Sequence, residues 1–241
     1  MPGTMTGFDA VVFDLFHTLV DPEEHRPRDF DRLAEAARIV GLDPDRLRNR
    51  WLDWVPELLR SPVRPAELVA AEAGLTGDTE TIAAIDDIIG RYQDAALLAP
   101  HPVVLKTLCE LREEAIRVAL LSNAHERDVR AWDRSPLAPL FDVAGFSFRL
   151  GSAKPEPEAY GRVLDALGVD AGRAAFAGDG NGDELCGARR AGFGLVVCVT
   201  GPALRSGLRT PEEMARLAVD ADVVAETIAE IPHLLRTRRV D

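Results

Sequence analysis

Apolar residues along this chain follow two rhythms, and the change between them divides it. The run Ala10 to Phe13 is continuous and too short for a helix. Bounded on its far side by the turn-prone Asp21-Pro22, it has the pattern of a strand buried on both faces of a parallel sheet. Between Asp21 and Pro100 the spacing is helical. Phe30, Leu33, Ala37 and Val40 share one face and stop at Gly41, a natural helix end. Leu47, Trp51, Trp54, Val55 and Leu58 follow Asp43-Pro44, with Pro56 expected to kink the helix or start a new turn. A third helix is expected from about Pro65 to Ala73, and a fourth from Asp78 or Thr79 onward with Ile82, Ile85, Ile89 and Tyr92 on one side. Pro-rich stretches at Asp21 to Pro27 and at Ala99 to Pro102 flank this block, so residues 21–100 read as an all-helical insertion.

From Pro102 the pattern alternates. Val104, Leu108 and Leu111 mark a helix, and Val118 to Leu121 a strand that ends in Ser122-Asn123. A polar helix is expected around His125 to Trp132 and a strand over Phe141 to Phe148. Tyr160, Val163, Leu164 and Leu167 form a helix stripe. Ala174 to Ala177 is a short strand ending in Gly178-Asp179, followed by a small-residue helix from Leu185 to Ala191. Leu195 to Val199 is a strand, Val223-Val224 a short last one, and Ile228, Ile231 and Leu235 a final helix. Repeated units of this kind predict a doubly wound parallel α/β sheet with helices on both faces.

Polar groups recur where the strands end. Asp14 closes the first strand, and Ser122-Asn123 the second. Lys154 lies in a loop that opens a helix, and Asp179 with Asp183 follows a further strand. In open α/β sheets ligands bind at the carboxyl ends of the strands. On its own stretch Asp14 has two readings, a carboxylate facing a crevice or a cap for the next turn. Gathered at one edge, these groups would set carboxylates, a hydroxyl and an ammonium in one crevice. Clustered carboxylates need a cation, and hard oxygen donors suit Mg²⁺. A metal, a lysine and a hydroxyl together bind phosphate, and an aspartate held beside them can act as nucleophile.

Composition narrows the classes. With 241 residues, 46% hydrophobic and 28% charged, the chain suits a globular fold of one large or two smaller domains. A net charge of −12 without a basic run argues against nonspecific nucleic-acid binding. It leaves room for a small phosphorylated substrate at a locally positive site. Met1 to Phe8 lacks the pattern of a signal peptide, and no stretch has the length of a membrane span. Cys109, Cys186 and Cys198 are scattered and make neither a disulfide framework nor a zinc site, so a cytoplasmic location is expected.

The ordered motifs resemble those of the haloacid dehalogenase-like hydrolase superfamily. Val11-Val12-Phe13-Asp14 with Thr18 is similar to its first motif, and Leu120-Leu121-Ser122-Asn123 to its second. Lys154-Pro155 is similar to the third. Gly178-Asp179 with Asp183, followed by Gly187-Ala188 and Ala191-Gly192, is similar to the fourth. The helical block resembles the C1 cap of that superfamily. The resemblance implies a Rossmann-like core of residues 1–20 and 101–241 and a cap of residues 21–100. It implies a Mg²⁺-dependent phosphatase acting on a small phosphate monoester through an aspartyl-phosphate. Asp14 would be nucleophile and metal ligand, joined at the metal by the Phe16 backbone carbonyl, by Asp179, and by Asp183 directly or through water. Ser122, Asn123 and Lys154 would hold the phosphoryl group, and Thr18 would brace the loop.

One position departs from the pattern. Phosphatases of the superfamily usually carry a second Asp two residues after the nucleophile, and this chain has Phe16 there. General acid–base help is worth about a hundred- to ten-thousand-fold in rate, so turnover on poor leaving groups should be slow. His17, His25 and His125 are the histidines considered as substitutes, with His17 expected to pack in its loop. Haloacid dehalogenases proper also carry an aromatic residue at that position, but with Ser-Asn where this chain keeps Asp179. A hydrolase displacing a group from carbon, and a pseudo-enzyme that retains the site for binding, stand as alternatives. The phosphonate hydrolases need a cap lysine, and residues 21–100 contain none. Trp51 and Trp54 are expected to pack in the helical block, and Arg26, Arg28, Arg48, Arg50 and Arg64 to be solvated. The substrate itself, and the choice between monomer and homodimer, stay open.

Overall fold

The computed structural model describes residues 7–238. Residues 1–6 and 239–241 of the expected core segments, and most of the stretch tested for a signal peptide, lie outside the described residues. The chain runs through β1 (Ala10–Phe13), then the helices α1 (Arg32–Val40), α2 (Pro44–Leu58), α3 (Pro65–Glu72), α4 (Thr79–Leu98) and α5 (Pro102–Glu113), and then β2 (Arg117–Ser122). It continues through β3 (Val143–Phe146), α6 (Ser147–Leu150), α7 (Pro157–Leu167), β4 (Ala174–Gly178), α8 (Glu184–Arg190) and β5 (Leu195–Val199). The last elements are α9 (Gly201–Arg205), α10 (Pro211–Leu217), β6 (Val223–Ala225) and α11 (Ile231–Thr237).

The six strands form one sheet in the order β3-β2-β1-β4-β5-β6, and every neighbouring pair is parallel. Alternation along each strand divides the core. Val11, Phe13, Val118, Leu120, Ala175 and Val197 face α5 and α11. Ala10, Val12, Ala119, Leu121, Phe176 and Val196 face α7, α8 and α10. This is the doubly wound α/β architecture. The strand order turns back at β1, because the chain moves outward to β2 and β3 and then returns to pair β4 on the other side. The crevice at the carboxyl ends of β1 and β4 is therefore the topological switch point.

The helices α1 to α4 carry an apolar cluster of their own, with Leu47, Trp51, Leu58, Val69, Ile85 and Ile89 buried in it and Trp54 packed against it. Local signals set their ends. The Asp31 carboxylate accepts hydrogen bonds from the Leu33 and Ala34 amides at the start of α1, and Gly41 ends it at φ 69°. Asp43 and Asp78 cap α2 and α4 in the same way. Pro56 sits near the end of α2, and the helix runs on to Leu58.

Two expected elements take another form. Residues 125–132 make short 3-10 turns at Glu126–Val129 and Trp132–Arg134 in place of one helix. The His125 ring accepts from the Asp128 amide while the Asp128 carboxylate accepts from the His125 amide, each at 3.3 Å, and this closed box favours a tight turn. The strand expected over 141–148 is only Val143–Phe146. Its parallel partner β2 ends at Ser122, which is paired with Phe146, so the ladder has nothing further to bind. Among the described residues no helix is long and apolar enough to cross a membrane.

Candidate active site

Asp14 follows β1, its amide bound to the Ala177 carbonyl of β4 at 2.9 Å. The chain then turns tightly, with His17 at φ 62° and the Leu15 carbonyl accepting from the amides of Leu19 at 2.9 Å and Val20 at 3.1 Å. This turn brings Thr18 back beneath Asp14, and its hydroxyl donates to Asp14 Oδ2 at 3.1 Å. No donor among the described residues reaches the Phe16 carbonyl. The Phe16 side chain packs against the core.

Lys154 enters from the loop before α7. Its ammonium donates to Asp14 Oδ1 and to Glu184 Oε2, each at 2.5 Å. Asn123, just past β2, fixes the backbone beneath it. The Asn123 side-chain nitrogen donates to the Lys154 carbonyl and its oxygen accepts from the Lys154 amide, both at 2.8 Å. Burial alone would lower the lysine's pKa, but Asp14 and Glu184 outweigh it and hold the group charged. Ser122 is buried at the end of β2 and lines the same cavity.

Asp179 follows β4 and is 2% exposed. Its Oδ1 accepts from the Asn181 amide at 3.0 Å, and its buried Oδ2 has no partner among the described residues. Glu184, the first residue of α8, is equally buried. Its Oε1 accepts from the Gly180 amide at 2.9 Å. Gly178 makes room for it, since a Cβ there would stand 2.2 Å from Glu184 Oε1. Carboxylate oxygens of Asp14, Asp179 and Glu184 lie within 4.8 Å of one another. Burial and the Asp14 charge raise the pKa of Asp179. Burial, with Asp14 and Asp179 adding to it against Lys154, pushes Glu184 up to about 8.

The site thus assembles seven of the eight residues expected from the sequence. Asp14, Phe16, Ser122, Asn123, Lys154 and Asp179 line one cavity of about 350 Å³, and Thr18 supports Asp14 from behind. Asp183 is exposed and outside the acidic cluster, in which its neighbour Glu184 stands. The signal for Glu184 is helical. Gly187 and Ala188 are buried inward, and the residue three or four positions before them on a helix shares their face.

The three histidines considered as proton donors are separated by the fold. His17 lines the cavity, and its Nδ1 pairs with Asp21 at 2.9 Å. Burial would lower its pKa, but Asp21, Asp179 and Asp14 raise it above the ordinary value. His25 is exposed beside the chain's entry to the helical block. His125 is buried with its ring edge-on to Trp51 at 5.6 Å. Arg32, which lines the cavity together with Arg26 and Gln93, was not among the sequence candidates. Its position at the start of α1 becomes informative only once that helix is placed over the sheet edge.

Comparison with known proteins identifies the family. The family model of the haloacid dehalogenase-like hydrolases matches residues 8–192. The chain belongs to that family. Family members similar to it include phosphoglycolate phosphatase 1 of Pseudomonas aeruginosa, 30% identical over 220 residues that cover 87% of this chain and 75% of the relative. A glyceraldehyde 3-phosphate phosphatase of Methanopyrus kandleri is 27% identical over 196 residues, covering 78% of this chain and 82% of its own. Among solved family structures, a 2-haloacid dehalogenase from Pseudomonas syringae superposes with a TM-score of 0.64 at 25% identity, covering 95% of this chain and 98% of the other. An HAD phosphatase from Thermococcus onnurineus superposes at 0.63 and 21% identity, covering 97% and 100%, a likeness of fold. The family assignment makes this chain a hydrolase.

Proposed function

We propose that this hydrolase is a Mg²⁺-dependent phosphatase of small phosphate monoesters that works through an aspartyl-phosphate on Asp14. The observation that carries the reading is uncompensated charge. Three buried carboxylates lie within 4.8 Å of one another, with the Lys154 ammonium bound to only two of them and an orphaned oxygen on Asp179. A divalent cation with a preference for hard oxygen donors fits that set. Asp14, Asp179, Glu184 and the Phe16 carbonyl would hold it, Glu184 taking the part first expected of Asp183. Bound there, the cation supplies charge neutralisation for the phosphoryl oxygens.

The chain's own residues then divide the work. An Asp14 carboxylate oxygen attacks phosphorus, and the bond to the ester oxygen breaks with its electron pair leaving on that oxygen. Water next attacks the phosphorus of the acyl phosphate, releasing inorganic phosphate and restoring the carboxylate. Lys154 balances negative charge on the nucleophile and the phosphoryl group, and the Ser122 hydroxyl donates to a phosphoryl oxygen. Thr18 orients Asp14. Phe16 carries no proton, so esters with poor leaving groups turn over slowly. Residues 21–100 act as a cap over the core of residues 1–20 and 101–241, contributing Arg26, Arg32 and Gln93 to the cavity. The phosphatase names of the two relatives support small phosphorylated substrates.

The reading is tested by quenching the enzyme in acid during turnover and weighing its peptides. A phosphoryl adduct on the peptide that carries Asp14, absent in Asp14→Asn, is expected; turnover with an adduct elsewhere would refute it. The aromatic Phe16 favours a second reading, displacement of halide from carbon, as does the likeness to a solved 2-haloacid dehalogenase. Asp179 opposes it, because a further carboxylate beside the nucleophile would repel a haloacid. Halide release in EDTA would decide for it.

A further inference from the structure

We propose that Arg32 is the specificity residue of this site and that it binds a carboxylate on the substrate, at the end away from the phosphate. The proposal rests on the phosphatase reading. Four basic side chains line the cavity, and three are engaged at close range. Lys154 is bound to Asp14 and Glu184, Arg26 to Glu23 and His17 to Asp21. Arg32 differs. Its contacts gather on a single nitrogen, Nη1, which lies 3.5 Å from the Ile89 carbonyl and 3.5 Å from Asp128 Oδ1. With the Gln93 amide turned to satisfy its hydrogen bonds, Gln93 also meets that nitrogen at 2.9 Å. Among the described residues no partner is bound by Nε or Nη2.

That unclaimed edge presents two parallel N–H donors, the geometry that matches a planar carboxylate. The guanidinium is also held in place. Its central carbon lies 5.5 Å from the centre of the Trp51 ring, and Trp51 is itself packed against His125. The donor edge is thus presented on a supported group, which lowers the ordering cost of binding. A cavity of about 350 Å³ lies near the small end of ligand pockets. The ligand that fits is a short-chain phosphate ester carrying one carboxylate.

The test uses two unreactive phosphonates of similar length, phosphonoacetate and 2-hydroxyethylphosphonate, titrated calorimetrically into the Mg²⁺-supplied protein. The wild type is expected to prefer phosphonoacetate by about ten- to hundredfold, the range of a charge-assisted pair. Arg32→Gln should abolish the preference, and Arg32→Lys, which keeps the charge without the fork, should retain part of it. A purely structural Arg32 would shift the melting temperature and leave the ratio of the two affinities unchanged. No preference in the wild type, no binding of either phosphonate, or an equal preference in Arg32→Gln would each overturn the proposal. Hydrolysis of p-nitrophenyl phosphate is measured in parallel. Its absence alongside an Arg32-dependent preference would sink the phosphatase reading and leave the carboxylate subsite standing.

Discussion

Replacing Glu184 by Gln should flatten the pH dependence of stability in the metal-free protein. Glu184 is buried beside two other carboxylates, and its pKa lies at about 8 against an ordinary 4.5. Between those values the folded protein keeps a proton that the unfolded chain releases. Stability therefore falls as pH rises through this window, and the loss is complete above about 8. The displacement corresponds to at most about 5 kcal/mol. For a chain of this size that is about 10–20 °C in melting temperature. Burial is the largest cause, and repulsion from Asp14 and Asp179 adds to it against the attraction of Lys154; two charges within 4.8 Å cost about 3.5 kcal/mol or more at an effective dielectric of 20. Glutamine keeps the shape but offers one oxygen to the two donors now bound, Gly180 and Lys154. The variant should accordingly be about 1–3 kcal/mol less stable at low pH, with little further slope. Thermal unfolding from pH 5 to 9 in EDTA reads both effects. Added Mg²⁺ should remove the wild-type slope and stabilise the variant less. Parallel pH profiles for the two proteins in EDTA would refute the reasoning.

Other variants probe the surrounding structure. Gly90→Ala would place a Cβ 2.2 Å from the Arg127 guanidinium, which is bound to Asp94 through two nitrogens at 2.7 and 2.9 Å. Displacing this half-buried pair between α4 and the turn after β2 should cost about 1–3 kcal/mol in urea unfolding. Asn123→Ala removes the two hydrogen bonds that seat the Lys154 backbone. It should lower kcat about ten- to hundredfold in steady-state phosphate release, with KM little changed. Asp183→Asn should leave kcat/KM within about twofold, as for an exposed substitution, and a large loss would restore Asp183 to the metal site.

Much of this arrangement could be read from the chain before the fold. A strand buried on both faces is a continuous apolar run, so β1 and β4 stood out, and each ends in an acid. Parallel pairing brings those ends together, which places Asp14 beside Asp179. Glu184 was displaced by one residue because the motif spacing pointed to Asp183, while the helix built on Gly187 and Ala188 turns position 184 inward. The turns at 126–134 depend on a side-chain box between His125 and Asp128 that competes with helix formation, and hydrophobic spacing does not report it. Short α9 and α10 offer too few residues for a periodic signal, with five and seven residues. Arg32 and Arg127 acquire their roles only by long-range packing, against Trp51 and Gln93 in one case and over Gly90 in the other. No local pattern distinguishes them from the solvated arginines around them.

The central claim is that the Asp14 cluster hydrolyses phosphate esters with the help of a divalent cation. Its most direct test is phosphate release from a panel of small monoesters, with Mg²⁺ or with EDTA, by the wild type and by Asp14→Asn. The account expects release that requires the metal, disappears in the variant and is slow for poor leaving groups. Release that persists in EDTA or in Asp14→Asn, or its absence from every ester, would contradict it.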